Sequence, residues 1–360
     1  MNVFDPYQLG SLKLMNRVVM APMTRNRAGK NGVANELMTE YYRQRASAGL
    51  IVTESSPISE EGIGYPYTPC IYNETQMHGW KNVVDAVHDQ GGKIVIQLQH
   101  CGRISHPSLQ KDNMPPLSPS EIKPSGSAVT YEGLQDFVSP KEMTKAEIKK
   151  AISQFGSAAK LAKDAGFDGI EVHGANGYLI DQFLRDGTNL RTDKYGGSVE
   201  KRMRFLNEVL DSVFLTWRPQ QVGIRLTPEN TFNSMFDSHP QKHFEYFVEQ
   251  LNAKNIAYLH VLEGDMLTQE KLVDYHKLRV MFNGTYIANN GYSLNSANTS
   301  LREKHADLIA FGTPFIANPD LVHRFKHDIP LNEADHATFY GGGEKGYIDY
   351  SFSQINGGSE

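Results

Sequence analysis

The chain has 360 residues, 39% of them apolar, and a formal net charge of −5 from 36 Lys and Arg against 41 Asp and Glu. The absence of a basic stripe argues against nucleic acid as the main partner. No apolar run reaches the length of a membrane helix, and the N-terminus lacks the apolar segment of a secretory signal. Two cysteines, Cys70 and Cys101, cannot form a disulfide framework. We therefore expect a cytoplasmic protein, with neither nucleic acid nor a membrane as its partner.

Short apolar runs alternate with helical patterns from about residue 18 onwards. The predicted strands are 18–21, 50–54, 93–98, 169–172, 222–226, 257–262, 285–288 and 307–311. The predicted helices are 36–48, 75–90, 144–166, 199–216, 241–254, 268–281 and 294–304. Eight alternating strand–helix units imply parallel strands with right-handed crossovers, and so predict a closed (β/α)8 TIM barrel. A doubly wound open sheet is the alternative, but no GxGxxG follows any strand.

A long segment after the third predicted strand, residues 101–143, contains six prolines and no repeat. Loops of this length are uncommon in compact domains and are often functional. The barrel periodicity resumes directly after the segment, so we predict a lid or a substrate-facing hairpin at the barrel mouth rather than a linker. The whole chain, 1–360, is expected to be a single domain.

The stretch 168–195, DGIEVHGANGYLIDQFLRDGTNLRTDKY, joins a short apolar strand to a turn rich in glycine. His173 and Asn176 are three residues apart and share one side if the turn is helical, so that both can hydrogen-bond to one oxygen atom. Tyr178 follows with a phenol that can donate a proton. These groups suit the polarisation of a carbonyl group and the protonation of its neighbour. On this stretch alone, a polar turn capping a strand, with Tyr178 as a packed aromatic, is the favoured interpretation.

The ends of the other predicted strands are also polar, and in a barrel these ends meet at the face that carries catalytic groups. Gly291 and Gly312 follow strands seven and eight, where barrels commonly bind a phosphate through backbone N–H groups. Arg225 has no evident carboxylate partner, which indicates an anionic ligand. Gln97 offers a donor and an acceptor to an amide-like ring edge. Together these residues predict a phosphorylated heteroaromatic cofactor.

Several long blocks resemble the Old Yellow Enzyme family of FMN-dependent ene-reductases, especially its branch of N-ethylmaleimide reductases and nitrate-ester reductases. They cover nearly the whole chain in the family's order: FDPYQLGSLKLMNRVVMAPMTR, QLQHCGRISHP, HGANGYLIDQFL, RTDKYGGSVEKR, GIRLTP, FGTPFIANPDL and FYGGGEKGYIDY. The resemblance implies one FMN-binding TIM-barrel domain that takes NAD(P)H as its reductant. It also implies small electrophilic alkenes as substrates, and we expect a monomer or a homodimer.

The resemblance assigns a cofactor role to each of the following residues. The backbone of Pro22 and Met23 and the hydroxyl of Thr24 meet the flavin ring, and His173 also lies against it. Ser55 and Gln97 line the pyrimidine side. Arg225 lies at the N1/O2 edge, where negative charge collects on reduction. The phosphate is surrounded by Asn290, Gly291, Gly312 and Thr313.

The resemblance also assigns the substrate side of the site. His173 and Asn176 bind the carbonyl or nitro oxygen of the substrate, and Tyr178 is the proton donor. Tyr65 and Tyr347 flank the substrate.

Three positions depart from the family pattern. The chain has FGT where the family usually has FGR, so that Thr313 replaces a phosphate-binding arginine. Asn290 occupies a phosphate-loop position that is often glycine. Gln99 replaces a pocket tryptophan, because the usual QLW is QLQ here. The first two departures bear on cofactor affinity and the third on substrate preference.

The predicted activity is therefore NAD(P)H-dependent reduction of the activated C=C bond of α,β-unsaturated carbonyl or nitro compounds, with nitro and nitrate-ester xenobiotics as further substrates. The first alternative is a metal-dependent hydrolase barrel, in which His100, His173, His260 and Glu263 would bind zinc. That alternative lacks a compact His-x-His motif, and His260 is interpreted as an interior histidine with its hydrogen bonds made. The second alternative is a barrel that binds flavin with little ene-reductase activity.

Overall fold

Eight parallel strands form a closed barrel in the computed structural model, which describes residues 1–353. In chain order the barrel strands, numbered one to eight, are Val18–Met20, Leu50–Pro57, Ile94–Gln99, Gly169–Gly174, Val222–Leu226, Tyr258–Leu262, Thr285–Asn289 and Leu308–Phe311. Strand one pairs with strand eight, which closes the sheet. The predicted (β/α)8 TIM barrel is thereby confirmed.

The helices surround the barrel, and the longer ones bury an apolar face. They are Glu36–Gln44, Glu74–Asp89, Lys145–Asp164, Leu179–Leu184, Val199–Phe214, Pro240–Lys254, Tyr275–Met281, Leu294–Arg302, Thr313–Ala317 and Leu321–Lys326. Side chains cap several of their first turns. Thr144 and Glu147 form a capping box, in which each side chain accepts from the other's backbone N–H.

One predicted helix begins later than expected. Residues 268–281 were predicted to be helical, but the helix starts at Tyr275. The carboxylate of Asp265 accepts from the backbone N–H groups of Leu267 and Thr268, which holds that segment in a turn. Asp274 then caps the helix by accepting from the backbone N–H of Lys277. The local competition between side-chain and backbone hydrogen bonds therefore decides where this helix begins.

A short antiparallel hairpin, Tyr7–Leu9 and Leu12–Leu14, precedes the barrel and was not predicted. Leu9 and Leu14 are buried in an apolar cluster with residues of the barrel strands, including Val19 and Leu50. The hairpin thus seals the end of the barrel from which the strands start.

The long segment 101–143 contains the predicted hairpin, formed by strands Ser127–Thr130 and Gly133–Asp136. A second short pair of strands, Leu117–Ser118 and Lys141–Glu142, connects the middle of the segment to its C-terminal end. Ala128 of the hairpin belongs to the same buried cluster as Tyr178, so the hairpin faces the predicted site. Across residues 1–353, none of the helices combines the length and the apolar character that a membrane crossing requires.

Candidate active site

A ring of polar side chains fills the interior of the barrel near the ends of strands three to six. His173 of strand four is the register partner of Arg225 in strand five, which in turn is the partner of His260 in strand six. Register partners in a sheet project to the same face, so these three side chains all point inwards. Glu171 lies two residues before His173, points the same way, and is paired in register with Gln97 of strand three. All five residues are buried.

A chain of hydrogen bonds runs through this ring and begins at Ser55. The hydroxyl of Ser55 donates to Oε1 of Gln97, and Nε2 of Gln97 donates to Oε1 of Glu171 over 2.6 Å. On its other side, the carboxylate of Glu171 accepts from Nδ1 of His260 over 2.8 Å. An ionised carboxylate can only accept, so this chain fixes which end of the Gln97 amide faces Ser55.

The ring carries one negative and one positive charge. Burial alone would raise the pKa of Glu171, but the hydrogen bonds from His260 and Gln97 and the charge of Arg225 outweigh it and lower the pKa. Burial lowers the pKa of His260, so the imidazole is neutral and its Nε2 keeps a lone pair. Sequence reasoning expected His260 to have its hydrogen bonds made, but within residues 1–353 this Nε2 has no hydrogen-bond partner. That expectation holds for Nδ1 and is wrong for Nε2.

Arg225 is buried without a carboxylate partner in the described part of the chain. One guanidinium nitrogen donates to Oδ1 of Asn289 over 2.8 Å, whereas its Nε has no partner among residues 1–353. Nδ1 of His173 is likewise buried and unpaired. Unpaired donors of this kind are costly in a folded protein unless a ligand supplies their partners. The interior of the barrel mouth is therefore built for a ligand with negative charge.

The turn after strand four brings His173, Asn176 and Tyr178 together, and it is not helical, so His173 and Asn176 do not meet on a helix face. His173 is the second-last residue of strand four, which ends at Gly174, and the next helix begins only at Leu179. Asn176 has a left-handed backbone with φ of 57°, a conformation that asparagine tolerates better than most residues. The rings of His173 and Tyr178 make an edge contact at 5.0 Å between centroids.

The side chain of Asn176 is oriented by the loop that follows strand five. Nδ2 of Asn230 donates to Oδ1 of Asn176 over 3.3 Å, which leaves the Asn176 amide N–H groups free to donate. Nδ2 of Asn233 donates to the backbone carbonyl of Asn176 over 2.8 Å. Burial, and then the charge of Arg225, lower the pKa of His173, so its imidazole is neutral. Two neutral donors are thus available at one place.

Tyr178 is 8% exposed, and its hydroxyl lies 3.0 Å from the hydroxyl of Tyr65. Burial raises the pKa of both phenols far above their ordinary value, so both are protonated at neutral pH. Gln99 is buried beside them, with its amide nitrogen on Sγ of Cys101. Cys101 belongs to the cluster that packs against Tyr178. The predicted residues Tyr65, Gln99 and Tyr178 therefore lie in one neighbourhood.

Tyr347 does not join this neighbourhood, which corrects its placement beside the substrate. Its ring is fully buried and stacks on Tyr41 at 4.1 Å, between the guanidinium groups of Arg25 and Arg27. Tyr340, seven residues earlier in the same FYGGGEKGY block, is the aromatic residue close enough to raise the pKa of Tyr65 and Tyr178. Both tyrosines fall in a segment without regular periodicity, so the sequence pattern alone could not separate them.

The loops after strands one, seven and eight form another edge of the mouth. Pro22, Met23 and Thr24 are partly exposed directly after strand one. A Cβ atom added to Gly312 would lie 3.6 Å from Sδ of Met23, so the loops after strands one and eight are neighbours.

The loop after strand seven has an open, strained backbone. Asn290 and Gly291 both have positive φ, 97° and 73°, and the Asn290 amide donates to the backbone carbonyl of Glu263. A Cβ atom added to Gly291 would meet nothing closer than 4.0 Å. Thr313 is exposed at the start of the helix after strand eight. Backbone N–H groups are therefore accessible on this side of the mouth.

The proposed zinc ligands do not form one group. Nδ1 of His260 is hydrogen-bonded to Glu171. The carboxylate of Glu263 accepts hydrogen bonds from Tyr286, Tyr292 and Lys271. The single group within residues 1–353 that could hold a metal ion contains none of the proposed ligands and consists of Asp186, Asp237 and His243.

Sequence reasoning missed Glu171, Asn230, Asn233 and Tyr340. Glu171 could have been found, because a strand places residues two apart on one face. The two asparagines of the loop after strand five had no such signal, because that loop has no periodicity.

The fold and these groups define a TIM barrel whose mouth is built for an anionic ligand. Residues 2–332 match the NADH:flavin oxidoreductase / NADH oxidase family, and the chain belongs to that family. A flavin oxidoreductase of Emericella nidulans is 40% identical over 98% of each chain. 12-Oxophytodienoate reductase 1 of Oryza sativa subsp. japonica is 42% identical over 97% of this chain and 93% of its own.

Solved structures give the same picture. Morphinone reductase matches with a TM-score of 0.95 and 43% identity, over 100% of this chain and 98% of its own. Its complex with tetrahydroNAD matches with a TM-score of 0.95 and 44% identity, over 100% of this chain and 99% of its own. The chain is thus an FMN oxidoreductase that uses a nicotinamide reductant. The predicted resemblance is confirmed for the family, whereas the nitrate-ester branch stays a prediction.

The residues present fit FMN. The unpaired Nε of Arg225 provides a buried donor, Nδ1 of His173 is a second buried nitrogen without a hydrogen-bond partner in residues 1–353, and the Ser55–Gln97 pair provides a polar edge for a ring. The backbone around Gly291 leaves space for a phosphate.

Proposed function

We propose that this enzyme uses NAD(P)H to reduce the activated C=C bond of α,β-unsaturated carbonyl and nitro compounds, with nitro and nitrate-ester xenobiotics as further substrates. The observation that carries the proposal is the juxtaposition of neutral His173, the free Asn176 amide and protonated Tyr178 at the mouth. A matching relative from Leishmania infantum is named a probable flavin mononucleotide-dependent alkene reductase, 41% identical over 97% of each chain. That name and those of the reductases above support this substrate class.

The cofactor would be held by residues on four sides of the mouth. Those proposed to hold it are Pro22, Met23, Thr24, Ser55, Gln97, His173, Arg225, Asn290, Gly291, Gly312 and Thr313. When bound, FMN supplies the hydride chemistry, carrying two electrons from the nicotinamide to the substrate. Arg225 would stabilise negative charge at the edge of the flavin ring. Its cation is buried, and the opposing charge of Glu171 acts on it without forming an ion pair in residues 1–353.

The substrate oxygen would accept hydrogen bonds from His173 and Asn176. Charge grows on that oxygen as hydride reaches the β-carbon, and two fixed donors stabilise it more than they stabilise the neutral substrate. Tyr178 protonates the α-carbon. Tyr65 and Gln99 line the same space.

The test is an absorption spectrum of the purified protein, followed by anaerobic titration with NADPH and addition of 2-cyclohexenone. We expect a yellow protein that NADPH bleaches and the enone restores, with reduced product formed in equal amount. A yellow protein that NADPH bleaches and the enone leaves bleached would instead support the flavin-binding barrel with little ene-reductase activity.

Further properties belong to the same proposal. We propose a single domain over 1–360 and a cytoplasmic protein that is a monomer or a homodimer and does not bind nucleic acid. Its net charge of −5 and its two free, buried cysteines support the last point and the reducing compartment.

Thr313→Arg is expected to tighten FMN binding about tenfold or more. Thr313 is exposed at the phosphate side and carries no charge, whereas a charge-assisted hydrogen bond is worth about 1.5–3 kcal/mol. Fluorescence titration of apoprotein with FMN measures the effect, with Thr313→Gln as the uncharged control of similar length. Equal dissociation constants for the parent and the arginine variant would mean that another residue already supplies the charge.

Gln99→Trp is expected to change the enantiomer ratio or the relative rates for bulky substituted enones. The side chain of Gln99 is smaller than an indole, and its amide donates to Sγ of Cys101 beside the Tyr65–Tyr178 pair. An indole ring at this position would fill space that is now open to the substituents of the enone. Reduction of the flavin by NAD(P)H should change less. Chiral analysis of products from a panel of enones measures the effect, and unchanged ratios and rates would contradict it.

A further inference from the structure

Tyr178 is poorly placed to recover a proton from water. Its side chain is buried in a cluster with Cys101, Ile104, Ala128 and Phe137. In residues 1–353, its hydroxyl has a single hydrogen-bond partner, the hydroxyl of Tyr65, at 3.0 Å. Under the proposed function, each turnover removes the Tyr178 proton, so a route for its replacement is required.

Tyr65 lies between Tyr178 and the solvent. It is partly exposed, and its ring meets the Tyr178 ring edge-on at 6.3 Å between centroids. The side chain of Asn233, which is partly exposed, lies near its hydroxyl. Arg103 holds this part of the loop by donating to the backbone carbonyl of Asn233 over 3.0 Å.

We propose that Tyr65 is the proton-relay residue of this enzyme, an inference that rests on the proposed role of Tyr178 as the acid. After Tyr178 has given its proton to the substrate carbon, the O–H bond of Tyr65 breaks and a new O–H bond forms on the Tyr178 phenolate. The phenolate left on Tyr65 then takes a proton from water, which leaves hydroxide in the solvent. No electrons are transferred, and both tyrosines return to their starting state.

The direction of the relay follows from the difference in burial. Burial raises the pKa of both phenols, but the side chain of Tyr178 is buried whereas that of Tyr65 is partly exposed. Negative charge is therefore less stable on Tyr178 than on Tyr65, where the Asn233 side chain and nearby solvent can stabilise it. The proton accordingly moves inwards.

The experiment compares the first turnover with later turnovers in Tyr65→Phe. The variant keeps the ring and removes only the hydroxyl, and FMN titration and thermal unfolding verify that it is folded and loaded. In a single turnover, pre-reduced enzyme is mixed with 2-cyclohexenone, and flavin reoxidation should lose much less rate than steady-state turnover does, because Tyr178 starts protonated. With excess NADPH and enone, a burst of one product per site should precede a steady rate about tenfold or more below the parent.

Two other results would overturn the relay. Equal loss in the first and later turnovers would assign Tyr65 to substrate binding, and no loss in either would mean that Tyr178 recovers its proton by another route. Tyr178→Phe separates this question from the proposed function. If that variant reoxidises at the parent rate in a single turnover, then Tyr178 is not the acid, whatever Tyr65→Phe does.

Discussion

Tyr178→Phe should slow reoxidation of the reduced flavin by 2-cyclohexenone by about 10²–10⁴-fold, the usual contribution of a general acid. The phenol is protonated, buried, and in contact with the ring of His173, so the substitution removes the phenol O–H beside that histidine. Reduction of the flavin by NAD(P)H needs no proton from this residue and should be nearly unchanged. Stopped-flow absorbance of each half-reaction measures both rates.

Two comparisons sharpen this experiment. A nitroalkene should lose less in its hydride step, because its nitronate product is a stable anion that can leave unprotonated. His173→Ala should slow both substrate types, because it removes one donor to the substrate oxygen. If Tyr178→Phe slowed the NAD(P)H half-reaction as strongly as the enone half-reaction, the residue would have a structural role instead.

Glu171→Leu should lower the free energy of unfolding by about 3–5 kcal/mol, the typical result of removing one partner from a buried charged network. The substitution takes the acceptor away from Gln97 and from Nδ1 of His260, both fully buried. It also leaves Arg225 without the opposing charge that acts on it. Urea unfolding of the apoprotein measures the loss.

Glu171→Gln is the matched control for this prediction. Its carbonyl oxygen can still accept from Gln97, and neutral His260 can take the tautomer that accepts from the new amide. The glutamine variant should therefore lose clearly less stability than the leucine variant. Equal losses in the two variants would show that the hydrogen-bonding atoms of Glu171 do not matter.

The architecture could be predicted because alternation of apolar strands and helices is a property of the chain itself. Eight such units leave little topological choice, and the strand ends then locate the site. Within a strand, residues two apart point to the same face, so the period of two places the side chain of Glu171 on the same face as that of His173. The capping box at Thr144 was predictable for the same reason, because both of its partners lie within three residues of each other.

The remaining parts of the site depend on contacts between residues that are distant in sequence. Asn230 and Asn233 reach Asn176 from a loop more than 50 residues later, and no local pattern encodes that approach. Tyr340 lies near the substrate side of the site and Tyr347 does not, and this difference depends on the path of an irregular segment. The start of the helix at Tyr275 was missed because Asp265 competes for the backbone of the preceding residues.

The hairpin Tyr7–Leu9 and Leu12–Leu14 makes the two ends of the barrel unequal as routes for water. Its buried Leu9 and Leu14 close the end of the barrel from which the strands start, where they cluster with Tyr258. Glu171 and His260 are buried in the barrel interior. A cofactor seated in the mouth would close the other end. Isotope exchange at the buried His260 N–H should then become slower in the loaded enzyme than in the apoprotein, since the interior can equilibrate with solvent only when the mouth empties.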